Sequence, residues 1–416
     1  MSSIRVLHWR PTRRLPCAAG LDEDVFSPSD FLPRLRTQLL ILQPTPFCNI
    51  RCDYCYLPDR DTRTRMPMDV VRAAVRRLVE DDLLGEELTV VWHAGEPTVL
   101  PPAWYEDAFA AVRQEIGGRA VVTHSMQTNA TLIDASWCDF FLRHGVRLGV
   151  SVDGPAALHD AHRRTRNGHG THALVRRGMR FLREAGVPFH AIAVVTAATL
   201  ADADAFVDFF EAEGVQDIGC NFDEAEGGHA VSSLDTHEAS HAAFVERLLD
   251  RTLAADGRLR MRELQHAFEA IRRGLPTVAW RGRTWPLNSQ ALPFALVTVA
   301  VDGRFSTFSP ELLGQASPAH EDFAFGDVRQ TGYFEATRGP AFARLWREIR
   351  SGIASCERCC AHFAYCGGGA PANKFFENGT FASTETLYCR TMVQRPFDVV
   401  LRRLEGERAT AVAAVP

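Results

Sequence analysis

Cys48, Cys52 and Cys55 stand in the run Phe47-Cys48-Asn49-Ile50-Arg51-Cys52-Asp53-Tyr54-Cys55. The spacing offers three thiolates on one short stretch and no fourth. A structural zinc site wants four closed ligands, commonly from two C-x2-C pairs. A cubane iron–sulfur cluster has four irons, normally one per cysteine. Three ligands therefore leave one iron open for an exogenous ligand. Cysteines this tightly spaced are rarely core filler.

A second group, Cys356, Cys359, Cys360, Cys366 and Cys389, lies near the C-terminus around Cys366-Gly367-Gly368-Gly369. The chain has 11 cysteines in all and no export signal, which argues against a disulfide framework and for metal. Cys17, Cys138 and Cys220 stand alone and read as small buried residues.

The three-cysteine run, with an aromatic residue, Tyr54, directly before its last Cys, resembles the signature of the radical SAM superfamily. The resemblance implies that the open iron binds the amino and carboxylate groups of S-adenosylmethionine. His93-Ala94-Gly95-Glu96-Pro97 resembles the G-G-E-P motif of these enzymes, with Ala94 in place of the first Gly. There the strand end, with Gly95 and Glu96, would accept hydrogen bonds from the methionine ammonium. Gln127-Thr128-Asn129-Ala130-Thr131-Leu132 resembles their Q-T-N-G-T-L run, and Ser151-Val152-Asp153-Gly154-Pro155 follows the next strand. By the same resemblance Gln127, Asn129 and Ser151 line the cofactor groove. An Arg pairs with the cofactor carboxylate, a task its planar fork suits. Arg163 is the choice, with Arg164 and Arg166 competing.

The C-terminal group resembles a SPASM extension, which in full form carries two auxiliary clusters. The Gly-x4-Cys ligand of the first falls here on Gly303 and Phe308, and the Cys due four residues after Cys366 is Ala370. The resemblance thus implies one auxiliary cluster, held by Cys356, Cys360, Cys366 and Cys389. Five cysteines compete for four irons; Cys360-x5-Cys366 keeps the usual spacing and favours Cys360 over Cys359. A zinc site on the same thiols is the alternative.

Longer runs resemble the GrrM/OscB-type radical SAM/SPASM peptide maturases. They include Phe305-Ser306-Thr307-Phe308-Ser309-Pro310-Glu311-Leu312, the stretch from Cys366 to Lys374, and Asn221-Phe222-Asp223-Glu224-Ala225-Glu226-Gly227. That family joins an aromatic ring carbon to the Cβ of a nearby residue, forming cyclophanes in ribosomally made peptides. The implied partners are a precursor peptide and an external electron donor of flavodoxin or ferredoxin type. Closing the crosslink requires loss of one proton and one electron. The auxiliary cluster is the implied electron acceptor, and Glu311 and Glu224 are candidate bases at the barrel mouth. The other readings are a different SPASM-type oxidation, forming formylglycine or a thioether, and a zinc-bearing adaptor without catalysis.

The elements that must position these residues are legible as alternation. From residue 39 to 222 short apolar runs alternate with amphipathic stretches. Strands are expected at Leu39–Gln43, Leu88–His93, Ala120–His124, Leu148–Val152, His190–Val195 and Asp217–Asn221. Helices are expected at Met68–Leu84, Ala135–His144, Ala173–Ala185 and Ala203–Glu213. Such alternation predicts an α/β fold, a partial (β/α)6 barrel whose active site lies at the strands' C-terminal ends. The division reads as an N-terminal extension at 1–38, a radical SAM barrel at 39–222 and a bridging region at 223–310. A small Cys-rich SPASM-like domain with a C-terminal helix follows at 311–416. The bridging region carries helical pattern from His237 to Leu275 and a hairpin with Val301-Asp302-Gly303-Arg304 as its turn. The stretch 355–390 shows little periodicity, and a helix is expected from Val393 to Gly406.

At 416 residues with 46% hydrophobic and 23% charged residues, the composition is that of a soluble globular protein. A net charge of −5 gives no footprint for nucleic acid. No apolar run approaches the ~20 residues of a membrane span, and no signal peptide is read in the first forty residues, so a cytoplasmic location is expected. Residues 1–38 are too short for a leader-binding winged helix.

Overall fold

The computed structural model describes residues 26–413. Cys17 and the stretch read for a signal peptide, with most of the 1–38 extension, lie outside the described residues. Six strands follow one another in the chain: β1 (Thr37–Leu42), β2 (Leu84–Trp92), β3 (Val121–Thr128), β4 (Arg147–Ser151), β5 (Phe189–Val195) and β6 (Asp217–Phe222). They lie side by side in sequence order, every neighbouring pair parallel. Helices α1 (Met68–Glu80), α2 (Pro102–Ile116), α3 (Ala135–His144), α4 (His172–Ala185) and α5 (Ala203–Ala212) fall in the crossovers. This is the partial (β/α)6 barrel the alternation predicts.

The helices form for local reasons. In α1 the fully buried Val70, Val71, Ala74, Val75 and Leu78 keep helical spacing. Each contributes on the order of 1–3 kcal/mol by leaving water. α4 ends at Gly186, whose φ of +72° suits a left-handed cap. α5 ends one residue before Gly214, at φ +68°.

Both ends of the six-stranded run are extended. β7 (Arg260–Met261), between α6 (Glu238–Ala254) and α7 (Arg262–Arg273), pairs parallel with β6. At the other edge β8 (Leu296–Val299) lies parallel to β1, with Val297 opposite Leu40. β8 forms the expected hairpin with β9 (Arg304–Thr307), and β10 (Gly326–Asp327) completes a ten-stranded sheet. The bridging region therefore adds strands to the barrel sheet itself.

The structure departs from the sequence reading in several places. The helix expected at Met68–Leu84 ends at Glu80, because Leu84 opens β2, and β7 divides the helical pattern expected from His237 to Leu275. β3 runs to Thr128, four residues past the expected end, because Ser125, Gln127 and Thr128 are polar and their strand pattern is invisible to hydrophobic alternation. The stretch near 355–390 is more ordered than its periodicity suggests. α8 (Pro340–Cys359) carries Cys356 and Cys359, and α9 (Pro371–Asn378) follows the glycine run. A further hairpin, Thr277–Trp280 with Arg283–Pro286, pairs with Phe31–Leu32. A π-helical turn, Cys389–Gln394, leads into the final helix α10 (Arg395–Ala413).

Phe308, where the absent cluster ligand would stand, is fully buried. Its ring stacks on Phe342 at 6.2 Å and on Trp346 at 6.1 Å. An aromatic core fills that position. Among the described residues no helix is long and apolar enough to cross a membrane.

Candidate active site

The cysteine stretch leaves the C-terminal end of β1 and is pinned to the barrel by a small ladder. Ile50–Cys52 pairs antiparallel with Arg163–Thr165, placing Cys52 opposite Arg163. The Cys48 N–H donates to Arg60 O at 3.1 Å, while Arg60 NH1 donates to Cys52 O at 2.8 Å. Burial, reinforced by Glu96, pushes the Cys48 thiol up to about 12. Burial also carries Cys52 up to about 11 despite Arg163 beside it. Each of the two is raised further by the neighbouring cysteines of the stretch. These thiols ionise readily only when a cation arrives, the condition under which metal binding releases protons. The donor chemistry fits a metal cluster.

The strand ends arrange themselves around this loop. Gly95, at φ +59°, is tied there by contact: a Cβ would sit 2.4 Å from Thr45 O and 2.6 Å from Phe47 O. Glu96 is fully buried and saturated. Its Oε1 accepts from Thr98 N at 3.0 Å and from the hydroxyls of Thr98 and Thr128 at 2.6 Å. Its Oε2 accepts from Asn129 N at 2.7 Å. Burial raises the Glu96 carboxyl, and these hydrogen bonds oppose the rise. Asn129 Nδ2 lies 3.9 Å from Cys48 Sγ and donates to Asn49 Oδ1 at 2.9 Å. Gln127 Nε2 donates to Ser151 Oγ at 2.8 Å. Gly149 makes room for that side chain, since a Cβ there would meet Gln127 Oε1 at 2.0 Å.

Arg163 is placed differently from an open carboxylate-binding fork. Both arms are spent on Asp153, Nε to Oδ2 at 2.9 Å and NH2 to Oδ1 at 3.0 Å. The Tyr54 hydroxyl donates to the same carboxylate, and the Arg163 guanidinium lies 5.4 Å from the Tyr54 ring centre. Asp153 is a member of this rim that the sequence reading quoted without assigning. Arg166, a competitor for the same task, instead donates to Cys48 O at 3.1 Å and pairs with Asp61.

Glu224 and Glu311, far apart in sequence, meet. Glu224 Oε2 accepts from Asn373 Nδ2 at 2.6 Å, so the barrel mouth touches the C-terminal segment directly. Glu226 joins them as a third carboxylate, hydrogen-bonded to Glu224 and close to Glu311. Burial first, then repulsion from Glu311, pushes Glu224 and Glu226 well above the usual carboxylate range; burial does the same to Glu311. Tyr56, next to Cys55, faces Glu311 and Glu226, and Tyr388, next to Cys389, faces Glu224 and Glu311. The carboxylates thus couple to one chain neighbour of each cysteine group. Glu226 escaped the sequence reading; its two-residue offset from Glu224, which in extended chain sets both on one side, was the available signal.

The C-terminal cysteines line a cavity of about 450 Å³ with His362. Four of them carry hydrogen bonds at sulfur. Lys374 Nζ donates to Cys356 at 3.3 Å, the Thr386 hydroxyl donates to Cys389 at 3.3 Å, His362 bonds Cys360, and the Gly368 and Gly369 N–H groups bond Cys366. His362, held by Asp398 at 2.7 Å and by Cys360, rises to about 9 and lowers Cys360. Cys359 behaves otherwise. It is exposed, and its thiol donates to Ser355 O one turn back at 3.0 Å.

Among the described residues no three His, Cys, Asp or Glu side chains converge as a single metal ion requires. Thiolates on one zinc lie within about 4 Å of one another, given Zn–S near 2.3 Å.

Residues 42–210 match the Radical SAM superfamily. The chain is 37% identical over 375 residues to the uncharacterized protein sll1766 of Synechocystis, covering 89% of this chain and 92% of that one. It is 33% identical over 172 residues to a serine-type anaerobic sulfatase-maturating enzyme of Klebsiella aerogenes, covering 41% of this chain and 42% of the relative. Among solved structures, anSMEcpe with bound AdoMet and Cp18Cys peptide aligns with a TM-score of 0.71 at 20% identity, covering 90% of this chain and 99% of that one. Streptococcus suis SuiB bound to precursor peptide SuiA aligns with a TM-score of 0.58 at 15% identity, covering 86% and 76%. These structural likenesses concern the fold.

Proposed function

The chain belongs to the family of the Synechocystis protein sll1766, and from its radical SAM domain we infer an enzyme that modifies a ribosomally synthesised peptide. The finer reading is formation of a cyclophane, a carbon–carbon bond between an aromatic ring carbon and the Cβ of a nearby residue. Cys48, Cys52 and Cys55 would hold the cluster that binds S-adenosylmethionine, with Tyr54, Gly95, Gln127, Asn129 and Ser151 around the cofactor. Glu96 and Arg163 would shape the groove by holding the strand ends and the cysteine loop. Cys356, Cys360, Cys366 and Cys389 would hold one auxiliary cluster. When bound, these groups supply a 5′-deoxyadenosyl radical, which takes one hydrogen atom, and an acceptor for one electron.

The chain's own residues position the peptide and manage a proton. After hydrogen loss the peptide Cβ bonds to the ring carbon, and the ring regains aromaticity by releasing one proton and one electron. The observation that carries this reading is the carboxylate group Glu224–Glu226–Glu311 set between the two cysteine groups. A general base with a raised pKa is suited to accept a proton near neutral pH. The same residues, 39–222 for the barrel and 311–416 for the auxiliary site with 223–310 between them, form the proposed division of labour.

The similarity to sulfatase-maturating enzymes favours a second reading, oxidation of a side chain to formylglycine. Products separate the two. Incubated anaerobically with a precursor peptide, S-adenosylmethionine and a flavodoxin or ferredoxin donor, the enzyme should remove two hydrogens from the peptide and leave a ring–Cβ link on fragmentation. Formylglycine in a sulfatase peptide, with no linked product from any precursor, would overturn the cyclophane reading.

A further inference from the structure

Of 46 basic Lys and Arg side chains in this chain a single one is lysine, Lys374. It is 2% exposed, on α9 just beyond the glycine run. Its Nζ donates to Cys356 Sγ at 3.3 Å, and its charge also reaches Cys389. Among the described residues no carboxylate forms an ion pair with it. Burying an ammonium without an anion is costly, so the site must supply negative charge of its own.

The surroundings are cut to a compact head. Gly352 sits inside α8, where glycine is less favourable than alanine. A Cβ there would lie 3.1 Å from Lys374 Nζ and 2.2 Å from Phe381 O. At Gly369 a Cβ would lie 3.5 Å from Lys374 Cε and 3.3 Å from Cys389 Sγ. Two glycines thus leave room for this side chain beside the sulfurs.

We propose that Lys374 is a fixed countercharge that raises the reduction potential of the group held by Cys356, Cys360, Cys366 and Cys389. The proposal rests on the auxiliary-cluster reading of those cysteines. One-electron reduction makes a thiolate-bound cluster more negative by one charge. A buried ammonium at a ligand sulfur stabilises the reduced form more than the oxidised form, and net charge and hydrogen bonds to sulfur are established determinants of cluster potential. His362 and Thr386 bond other sulfurs, but Lys374 is the most deeply buried full charge at the site. It is a positioning residue, acting through the cluster.

The test uses the full chain with Cys48, Cys52 and Cys55 replaced by Ala, so that auxiliary iron alone is observed. Lys374→Met and Lys374→Gln remove the charge, and Lys374→Arg keeps it. Midpoint potentials come from dithionite titration followed by electron paramagnetic resonance, with iron and sulfide counted in each sample. The expected result is full iron loading and, in the Met and Gln variants, at least a tenfold fall in the reduction equilibrium, 59 mV for one electron, with Arg nearer the parent. If Met and Gln fail to load iron but Arg loads, Lys374 holds the group instead of tuning it, and the proposal is overturned. Equal potentials in loaded variants overturn it while leaving the cluster reading intact, as does failure of all three to load, which makes Lys374 a packing residue. A parent protein without auxiliary iron overturns both.

Discussion

Arg163 clasps Asp153 with both arms in the barrel interior, at 2.9 and 3.0 Å, directly opposite Cys52 on the small ladder. Asp153 also accepts from Val194 N at 2.9 Å and from the Tyr54 hydroxyl. One buried carboxylate therefore ties the end of β4, strand β5, the cysteine loop and the arginine together. The signature loop is held from behind by an ion pair, and cofactor ligation is not its only anchor.

Arg163→Met should leave Asp153 buried and unpaired, at a cost of about 3–5 kcal/mol. Urea unfolding measures the loss. Burial pushes the Asp153 pKa up, but Arg163 and its hydrogen bonds bring it net below the ordinary value. The pair's contribution is complete above the unfolded pKa of about 3.9 and is lost as pH falls through the lower folded value. Wild type should therefore lose stability on acidification below about pH 4, and the gap between Arg163→Met and wild type should narrow over the same range.

Replacing Cys48, Cys52 and Cys55 together by Ala should abolish S-adenosylmethionine cleavage and halve the iron, from about eight to about four per chain. Iron analysis and quantification of 5′-deoxyadenosine check this. Continued 5′-deoxyadenosine production would refute the assignment of the loop, and about twelve irons in the parent would mean a further ligand set.

Ala at Cys366 or Cys389 should leave uncoupled S-adenosylmethionine cleavage largely intact, because the three-cysteine loop lies on the barrel. Crosslink formation should fall much further. Circular dichroism and thermal unfolding separate loss of the acceptor from collapse of the module, since binding and folding are coupled in such segments. A folded variant lacking auxiliary iron that still crosslinks at the normal rate would make that cluster structural.

Glu311→Gln removes the negative charge that raises Glu224 and Glu226. The remaining carboxyls should ionise at lower pH, so the rising limb of crosslink formation should move toward acid. Stability has the matching sign. A carboxyl raised in the folded state contributes fully below its unfolded pKa of about 4.3, and that contribution is lost as pH rises through the folded value. Glu311→Gln should therefore unfold at a higher temperature than wild type above neutral pH, with the gain shrinking on acidification. An unchanged pH–rate profile would exclude these carboxylates as the base.

Much of this protein is legible in its amino-acid sequence. The C-x3-C-x2-C spacing, the βα alternation and the helix-ending Gly186 and Gly214 are local signals, because ligand spacing, side-chain periodicity and cap conformation all act within a few residues. They carried the barrel, the order of its strands and the three-cysteine loop. What needed the tertiary structure was everything that depends on which groups compete for one partner. Arg163 could be placed near the cofactor groove from sequence, but only the fold shows that Asp153 occupies its fork. Cys359 and Cys360 are adjacent in the chain. They diverge because Cys359 ends the α8 helix with its thiol turned to Ser355 O, whereas Cys360 caps it beside His362. Glu224 and Glu311 lie in separate sequence regions and become a half-buried carboxylate group with Glu226 only when β9 joins the barrel sheet through β8. Burial and saturation of hydrogen bonds are properties of the packed chain, and no periodicity in the sequence encodes them.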